Sequence, residues 1–251
     1  MNNIKPVCDY HMHSYYSGEN GHAIGTIREI VGAARSRGFE EILITEHGPG
    51  HYGFGTRVKR FPEIRLEIDE LNQEFSDIDI LMGIEANVMG FNGQIDIKAE
   101  ELKYFDRINV GYHYGVIPKD FMFFYSFMVI NPLSKILPFL KNYAIKLNTD
   151  ALINIVKEND IFTITHPGSK AKLDIYRLAQ VCAEYDTALE INSSGHGKLD
   201  IDDINIALKT DVKFTLGSDA HKIARVGDLE SSMERVKVCK IPLDRIINKF
   251  S

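Results

Sequence analysis

The sequence predicts an α/β fold built from about seven repeated βα units, and three observations carry that prediction. Short β-like runs alternate with amphipathic helical stretches along the whole chain. The 251 residues, 44% of them hydrophobic, suit one large domain with a closed core better than two small ones. Seven of the nine histidines fall at strand ends or in the adjoining loop.

Strands are expected over residues 7–13, 41–45, 78–85, 105–113, 161–166, 188–192 and 212–217. Helices are expected over 26–37, 62–75, 148–158, 173–185, 201–209 and 231–238. Units of this kind pack as a doubly wound sheet or as a closed barrel, and periodicity does not separate the two. No Gly-rich GxGxxG or Walker-type loop follows the first strand, which speaks against a dinucleotide or nucleoside triphosphate site. No repeat, low-complexity tract or Pro/Gly-rich linker divides the chain.

The formal net charge of -6 argues for a small substrate, since a nucleic-acid contact would need a local basic patch. Cys8, Cys182 and Cys239 are far apart and form no CxxC pair, so a reducing cytoplasm is expected. The polar residues 1–6 lack a secretory apolar core, and export is not expected. Residues 121–130 (FMFFYSFMVI) are apolar and aromatic, and 133–140 continue the run. Asp120, Pro132, Lys135 and Pro138 interrupt it short of the roughly 18 to 20 residues of a membrane span. A lid, a subunit contact giving a homo-oligomer, an interfacial anchor or a buried helix would each use such a stretch.

The first strand ends in Asp9-Tyr10-His11-Met12-His13, where side chains two apart point to one side, so His11 and His13 can reach one ion. Recurrence gives this weak motif its weight. His47 ends the second strand, Glu85 the third, His113 the fourth and His166 the fifth, while Asp219 and His221 follow the seventh. His22 lies in the loop after the first strand. In a parallel barrel these ends share one rim, and so many donors exceed what a single ion needs. More than one metal is therefore expected, with Glu85 or Asp219 suited to bridging.

DYHMHS, GHAIGT, LITEHGP, GIEANV, VGYH, THPG, LEINSS and GSDAH, in that order over most of the chain, resemble the PHP (polymerase and histidinol phosphatase) family, in its YcdX-like phosphatase branch. The resemblance implies a distorted (β/α)7 TIM-like barrel spanning 1–251 as a single domain, with an apolar insertion at about 117–148. It also implies three divalent metal ions, whether zinc, manganese or iron. Carried over position by position, His11, His13, Glu85 and Asp219 hold the first ion. Glu85 bridges to a second, also held by His113 and His166, and His22, His47 and His221 hold the third. Glu46 stands beside His47 where family members often have Asp, which suggests a supporting role.

The function so implied is that of a phosphatase, a metal-dependent phosphoric ester hydrolase acting on small phosphomonoesters through a hydroxide bridging two ions. Glu85, Asp219 and His113 are the residues expected nearest the chemistry. Arg225, Arg57 and Lys170 are candidate substrate contacts, with Lys59, Arg60 and Lys172 behind them, and His51 or His196 could protonate the leaving group. The alternatives are a histidinol-phosphate phosphatase, a 3′–5′ exonuclease module, which the acidic charge disfavours, and a non-catalytic metal-stabilised interaction module.

Overall fold

Seven short parallel strands follow one another in chain order: β1 Cys8–Met12, β2 Glu41–His47, β3 Asp79–Asn87, β4 Arg107–Gly111, β5 Thr163–Ile164, β6 Ala188–Asn192 and β7 Phe214–Gly217. In the computed structural model, which describes residues 4–18, 21–118, 120–195 and 199–251, β1 and β7 also meet. Asp219 N donates to His11 O at 2.8 Å and His13 N to Ala220 O at 2.9 Å, so the sheet curls into a nearly closed barrel. The choice between sheet and barrel, open at the sequence level, falls to the barrel.

Helices clothe this ring, the longer ones through an apolar stripe. In α1 (Ile27–Ser36), Thr26 and Glu29 form a capping box, and Ile27, Ile30, Val31 and Ala34 recur at helical spacing on the buried face. In α2 (Phe61–Glu74) the buried set is Phe61, Ile64, Ile68 and Leu71. After β4 the chain forms α3 (Phe121–Tyr125), a π-helical turn Ser126–Ile130, α4 (Asn131–Leu133) and the long α5 (Pro138–Glu158). α6 (Ile175–Glu184), α7 (Ile201–Ala207) and α8 (Glu230–Val238) complete the wall.

Several strands are shorter at their ends than the sequence predicts, and two elements differ for reasons the local chain shows. The helix expected over 148–158 begins at Pro138, where proline's missing N–H costs nothing in the first turn. The strand expected over 161–166 pairs only at Thr163–Ile164, because His166 turns into left-handed backbone (φ 31°) before Pro167.

The barrel interior is layered. Its floor is apolar, with Cys8, Tyr10 and Leu43 packed against Leu81 and Phe162. Above it Thr163 and Thr215 share a hydroxyl hydrogen bond of 2.8 Å, and Asn109 Nδ2 donates to Tyr10 O. β1 carries a bulge: Asp9 pairs with Ile42 and Met12 with Ile44, so Tyr10 and His11 together oppose Leu43. The extra residue re-aims the strand, letting His11 and His13 point inward above Tyr10. The β2–β3 register sets His47 opposite Glu85.

Candidate metal centre

His11 and His13 lie at and just beyond the end of β1, His47 ends β2, and Glu85 sits near the end of β3. His113, His166, Asp219 and His221 follow β4, β5 and β7, so six of the seven strands deliver a donor to one rim. His166 and Asp219 both adopt positive φ (31° and 53°), backbone that is costly for non-glycine residues and that aims their side chains at the cluster. Gly217 and Gly111 give room below: a Cβ at the first would run into Glu190 and His11, and at the second into Thr165.

The donor atoms form one continuous cluster, within which His13, His47 and His221, then His11, His13 and Glu85, then His47, Glu85 and His113 each bring ligand atoms within 4.8 Å of one another. His11 Nε2 and His13 Nε2 are 3.1 Å apart, and each lies 3.4–3.7 Å from Glu85 Oε2 and Asp219 Oδ1. Glu85 Oε1 faces the other way, 3.2 Å from His113 Nε2 and 2.9 Å from His166 Nε2. His47 Nε2 is 3.3 Å from His22 Nε2 and 3.4 Å from His221 Nε2, while its Nδ1 lies 3.0 Å from Glu85 Oε2. Tetrahedral zinc with bonds of about 2.0–2.1 Å sets its nitrogens roughly 3.3–3.4 Å apart, so these spacings fit a cation between the donors. His47 Nδ1, Glu85 Oε2 and His113 Nε2 are buried without a hydrogen-bond partner among the described residues, the condition that a cation relieves.

Hydrogen bonds to the far ring nitrogens fix the tautomers that leave Nε2 lone pairs free. His11 Nδ1 donates to Glu190 Oε1 at 2.7 Å, His113 Nδ1 to Asn87 Oδ1 at 2.8 Å, and His221 Nδ1 to the Asp219 carbonyl at 3.0 Å. Asn87 is itself held by Asp96, and Glu190 Oε2 also accepts from His166 N and Asn192 Nδ2. Thr165 Oγ1 donates to Glu85 Oε1, and Ser194 Oγ to Asp219 Oδ2.

Charge is set by the same packing. Burial opposes ionisation of Glu85 and Asp219, yet the neighbouring imidazoles, His113 and His11 for Glu85 and His11 and His13 for Asp219, hold both well below the usual carboxylate range. Burial pushes His22 down to about 4 and His47 to about 3, and, helped by His47 and His221, drives His13 well below its ordinary value. Burial opposes the charged form of His11, but Glu190, Glu85 and Asp219 outweigh it and raise that imidazole well above normal, so its Nε2 lone pair becomes free only as a bound cation displaces the proton there.

A cavity of about 270 Å³ opens over this cluster, walled by Phe54, Tyr114, Ser169 and Lys170. Phe54 stacks on His22 with ring centroids 3.6 Å apart. Of the cationic candidates only Lys170 lines the cavity. Arg225 is exposed and pairs with Asp228 at 2.5 Å, and Arg57 is exposed at the start of the short helix Val58–Arg60. His51 lines the cavity, with both of its ring nitrogens engaged by neighbouring backbone. It is buried, its Nε2 donates to Tyr114 O at 2.7 Å, and its Nδ1 accepts from Gly53 N and Phe54 N. His196 lies outside the described residues.

Glu46 is buried and accepts from Ser14 N, Ser14 Oγ and Ser17 Oγ, while Ser17 Oγ accepts from His47 N. It thereby ties the turn after His13 to β2. Burial raises its carboxyl to about 7 against the pull of those serines.

Buried imidazoles and carboxylates gathered at the C-terminal rim of a parallel barrel define a metal-binding enzyme site. The PHP domain model matches residues 9–194. A "probable phosphatase" of Tolumonas auensis is 30% identical over 96% of this chain and 89% of its own. The "probable phosphatase YcdX" of Shigella flexneri serotype 5b is 27% identical over 96% and 89%. Among solved structures, histidinol phosphate phosphatase from Lactococcus lactis, complexed with zinc, L-histidinol and phosphate, superposes with a TM-score of 0.60. It is 18% identical, covers 92% of this chain and 93% of its own, and is a likeness of fold. The chain belongs to the PHP domain family and is a metal-dependent phosphoester hydrolase.

Proposed function

We propose that the chain is a phosphatase of small phosphomonoesters working with three divalent cations. His11, His13, Glu85 and Asp219 would hold the first, His113 and His166 would share Glu85 for the second, and His22, His47 and His221 would hold the third. The observation that carries this reading is Glu85, whose two oxygens face two different histidine groups. The donor set suits zinc, manganese or iron. When bound, such cations supply hydroxide near neutral pH and neutralise charge on the phosphoryl oxygens.

The chain's own residues do the rest. Lys170 lines the cavity and would meet a phosphate oxygen, while Phe54 and Tyr114, also in its wall, would flank the organic part of the ester. A cavity of about 270 Å³ favours a small ester over a polynucleotide. Histidinol phosphate is a specific candidate, because the Lactococcus lactis neighbour is complexed with L-histidinol and phosphate. The unpaired Cys8, Cys182 and Cys239 suit the reducing cytoplasm.

The test is phosphate release from a panel of phosphomonoesters including histidinol phosphate, beside single-stranded DNA digestion, before and after chelation and metal restoration. Monoester turnover that chelation abolishes and metal restores is expected, with three ions per chain by elemental analysis. Glu85→Gln strands buried imidazoles and should lower turnover by about 3 kcal/mol or more in barrier, roughly 100-fold, with loss of bound metal. A fully loaded chain that hydrolyses none of the monoesters would overturn the proposal.

A further inference from the structure

We propose that the outer face of segment 117–148 docks on an anionic lipid bilayer, whichever ester the site hydrolyses. Asp120 caps α3, accepting from Met122 N and Phe123 N, and so starts a helix with two unlike faces. The inner face is anchored: Phe123 and Phe127 are buried, Phe127 stacks on Tyr112 with centroids 5.0 Å apart, and Phe123 meets Phe91 edge-on. The outer face carries Phe121, Met122 and Tyr125, the first two 74% and 64% exposed. Ile136 and Phe139, 75% and 77% exposed, and Tyr143 one turn on extend the apolar surface along the start of α5, which packs against the π-helical turn. Single exposed apolar residues are ordinary, but a run of large ones on adjoining helices marks a binding surface.

Charge identifies the occupant. Between Asp120 and Asp150 the sequence holds no carboxylate and three lysines, in a chain whose net charge is -6; Lys146 pairs with Asp150, while Lys135 and Lys141 are exposed. The face therefore has the opposite sign to the molecule as a whole. Aromatic and aliphatic side chains flanked by lysines fit the boundary between acyl chains and anionic headgroups, where the lysine stems lie along the apolar layer and their ammonium groups meet phosphate. A second copy fits less well, because a two-fold contact would set Lys135 and Lys141 near their own copies, while the segment's Asp120 is already taken up in capping α3. A span is not involved, since among the described residues no helix is long and apolar enough to cross a membrane.

The buried side of the segment adjoins the loop that carries Lys170. Asn131 Nδ2 donates to Lys170 O at 3.0 Å, and Asn148 Nδ2 reaches both Asn131 Oδ1 and Lys172 O.

Flotation of the full chain with phosphatidylcholine vesicles, and with vesicles also containing phosphatidylglycerol, tests the proposal. Binding to the phosphatidylglycerol vesicles is expected, weakening with salt. Phe121→Ser with Phe139→Ser should cut it more than about tenfold. Lys135→Glu and Lys141→Glu should each cut it at least about fivefold. Circular dichroism and turnover of a soluble ester should stay unchanged in all of these variants. No binding to phosphatidylglycerol vesicles, equal binding to phosphatidylcholine alone, or binding indifferent to the substitutions would overturn the proposal. So would a concentration-dependent dimer that Phe121→Ser with Phe139→Ser dissolves while vesicles are ignored, since a second copy would then cover the face.

Discussion

The rim cluster and segment 117–148 break one rule in opposite directions. At the rim, nitrogen and oxygen atoms are buried, among them His47 Nδ1, Glu85 Oε2 and His113 Nε2 with no hydrogen-bond partner among the described residues. On the segment, Phe121, Ile136 and Phe139 stand in solvent. Each departure rests on a conventional support: Glu190 and Asn87 orient the rim histidines, and Phe123 and Phe127 bind the segment to the core. Stability comes from the parts that obey the rule, so the places that break it, while firmly held, are where something else binds. The chemistry of each exception names its guest, cations for lone pairs and an apolar phase for phenyl rings.

The largest effect expected outside the proposed ligands is at Glu190. Its Oε1 takes the His11 Nδ1 proton at 2.7 Å, and its Oε2 takes His166 N at 2.6 Å and Asn192 Nδ2 at 3.0 Å. Glu190→Gln keeps the shape but turns one acceptor into a donor. Metal affinity or turnover should fall about 10- to 100-fold, the usual cost of disturbing an orienting partner. Metal titration followed by phosphate release measures it. An unchanged affinity would mean that the rim histidines are held by the barrel alone, and would break the parallel with the anchored segment.

How much of this the sequence discloses differs between the two regions. His11, His47, Glu85, His113, His166 and Asp219 are legible because donor chemistry recurs at successive strand ends. Closure into a barrel is not legible in the periodicity, since β1 meeting β7 is a long-range pairing that leaves the alternation unchanged. Glu190 lies within LEINSS, yet nothing local separates its carboxylate from any other buried one until His11 is seen 2.7 Å away. The bulge at Tyr10-His11 and the Asp96–Asn87–His113 relay are hidden for the same reason, being made by register and by loops. In the segment the apolar run is plain in sequence, but only the packing of Phe123 and Phe127 tells which side faces water.

Asn131 joins the two regions and predicts a smaller effect. It is buried, donates to Lys170 O and accepts from Asn148. Asn131→Ala leaves the Asn148 amide and the Lys170 carbonyl without this partner, a loss of about 1–3 kcal/mol of stability in urea melts. If Lys170 meets the phosphate, KM for a phosphomonoester should rise while kcat and metal content hold, because the donor cluster is untouched. A matching fall in kcat with loss of metal would show that the segment and the rim are one unit and not two.

The smallest effect is a pH slope at Asp96. This buried carboxylate accepts from Asn87 N at 2.7 Å, Asn87 Nδ2 at 2.6 Å and Gly50 N at 2.8 Å. Burial raises its pKa, and those hydrogen bonds offset only part of the rise. The folded state therefore holds the proton more tightly than the unfolded chain does. The stability this contributes is complete below the unfolded pKa of about 3.9 and is lost as pH climbs through the folded value. Asn at this position cannot titrate, so the stability gap between wild type and Asp96→Asn should be widest at the acid end and narrow as pH rises. Urea midpoints of both proteins across one pH series measure the gap, and carboxylates common to both cancel in the difference. A gap that widens with pH would mean that the hydrogen bonds from Asn87 and Gly50 outweigh burial. Asp96 would then hold the His113 relay as a favoured anion, and the burial of polar groups behind the rim would cost less than the comparison assumes.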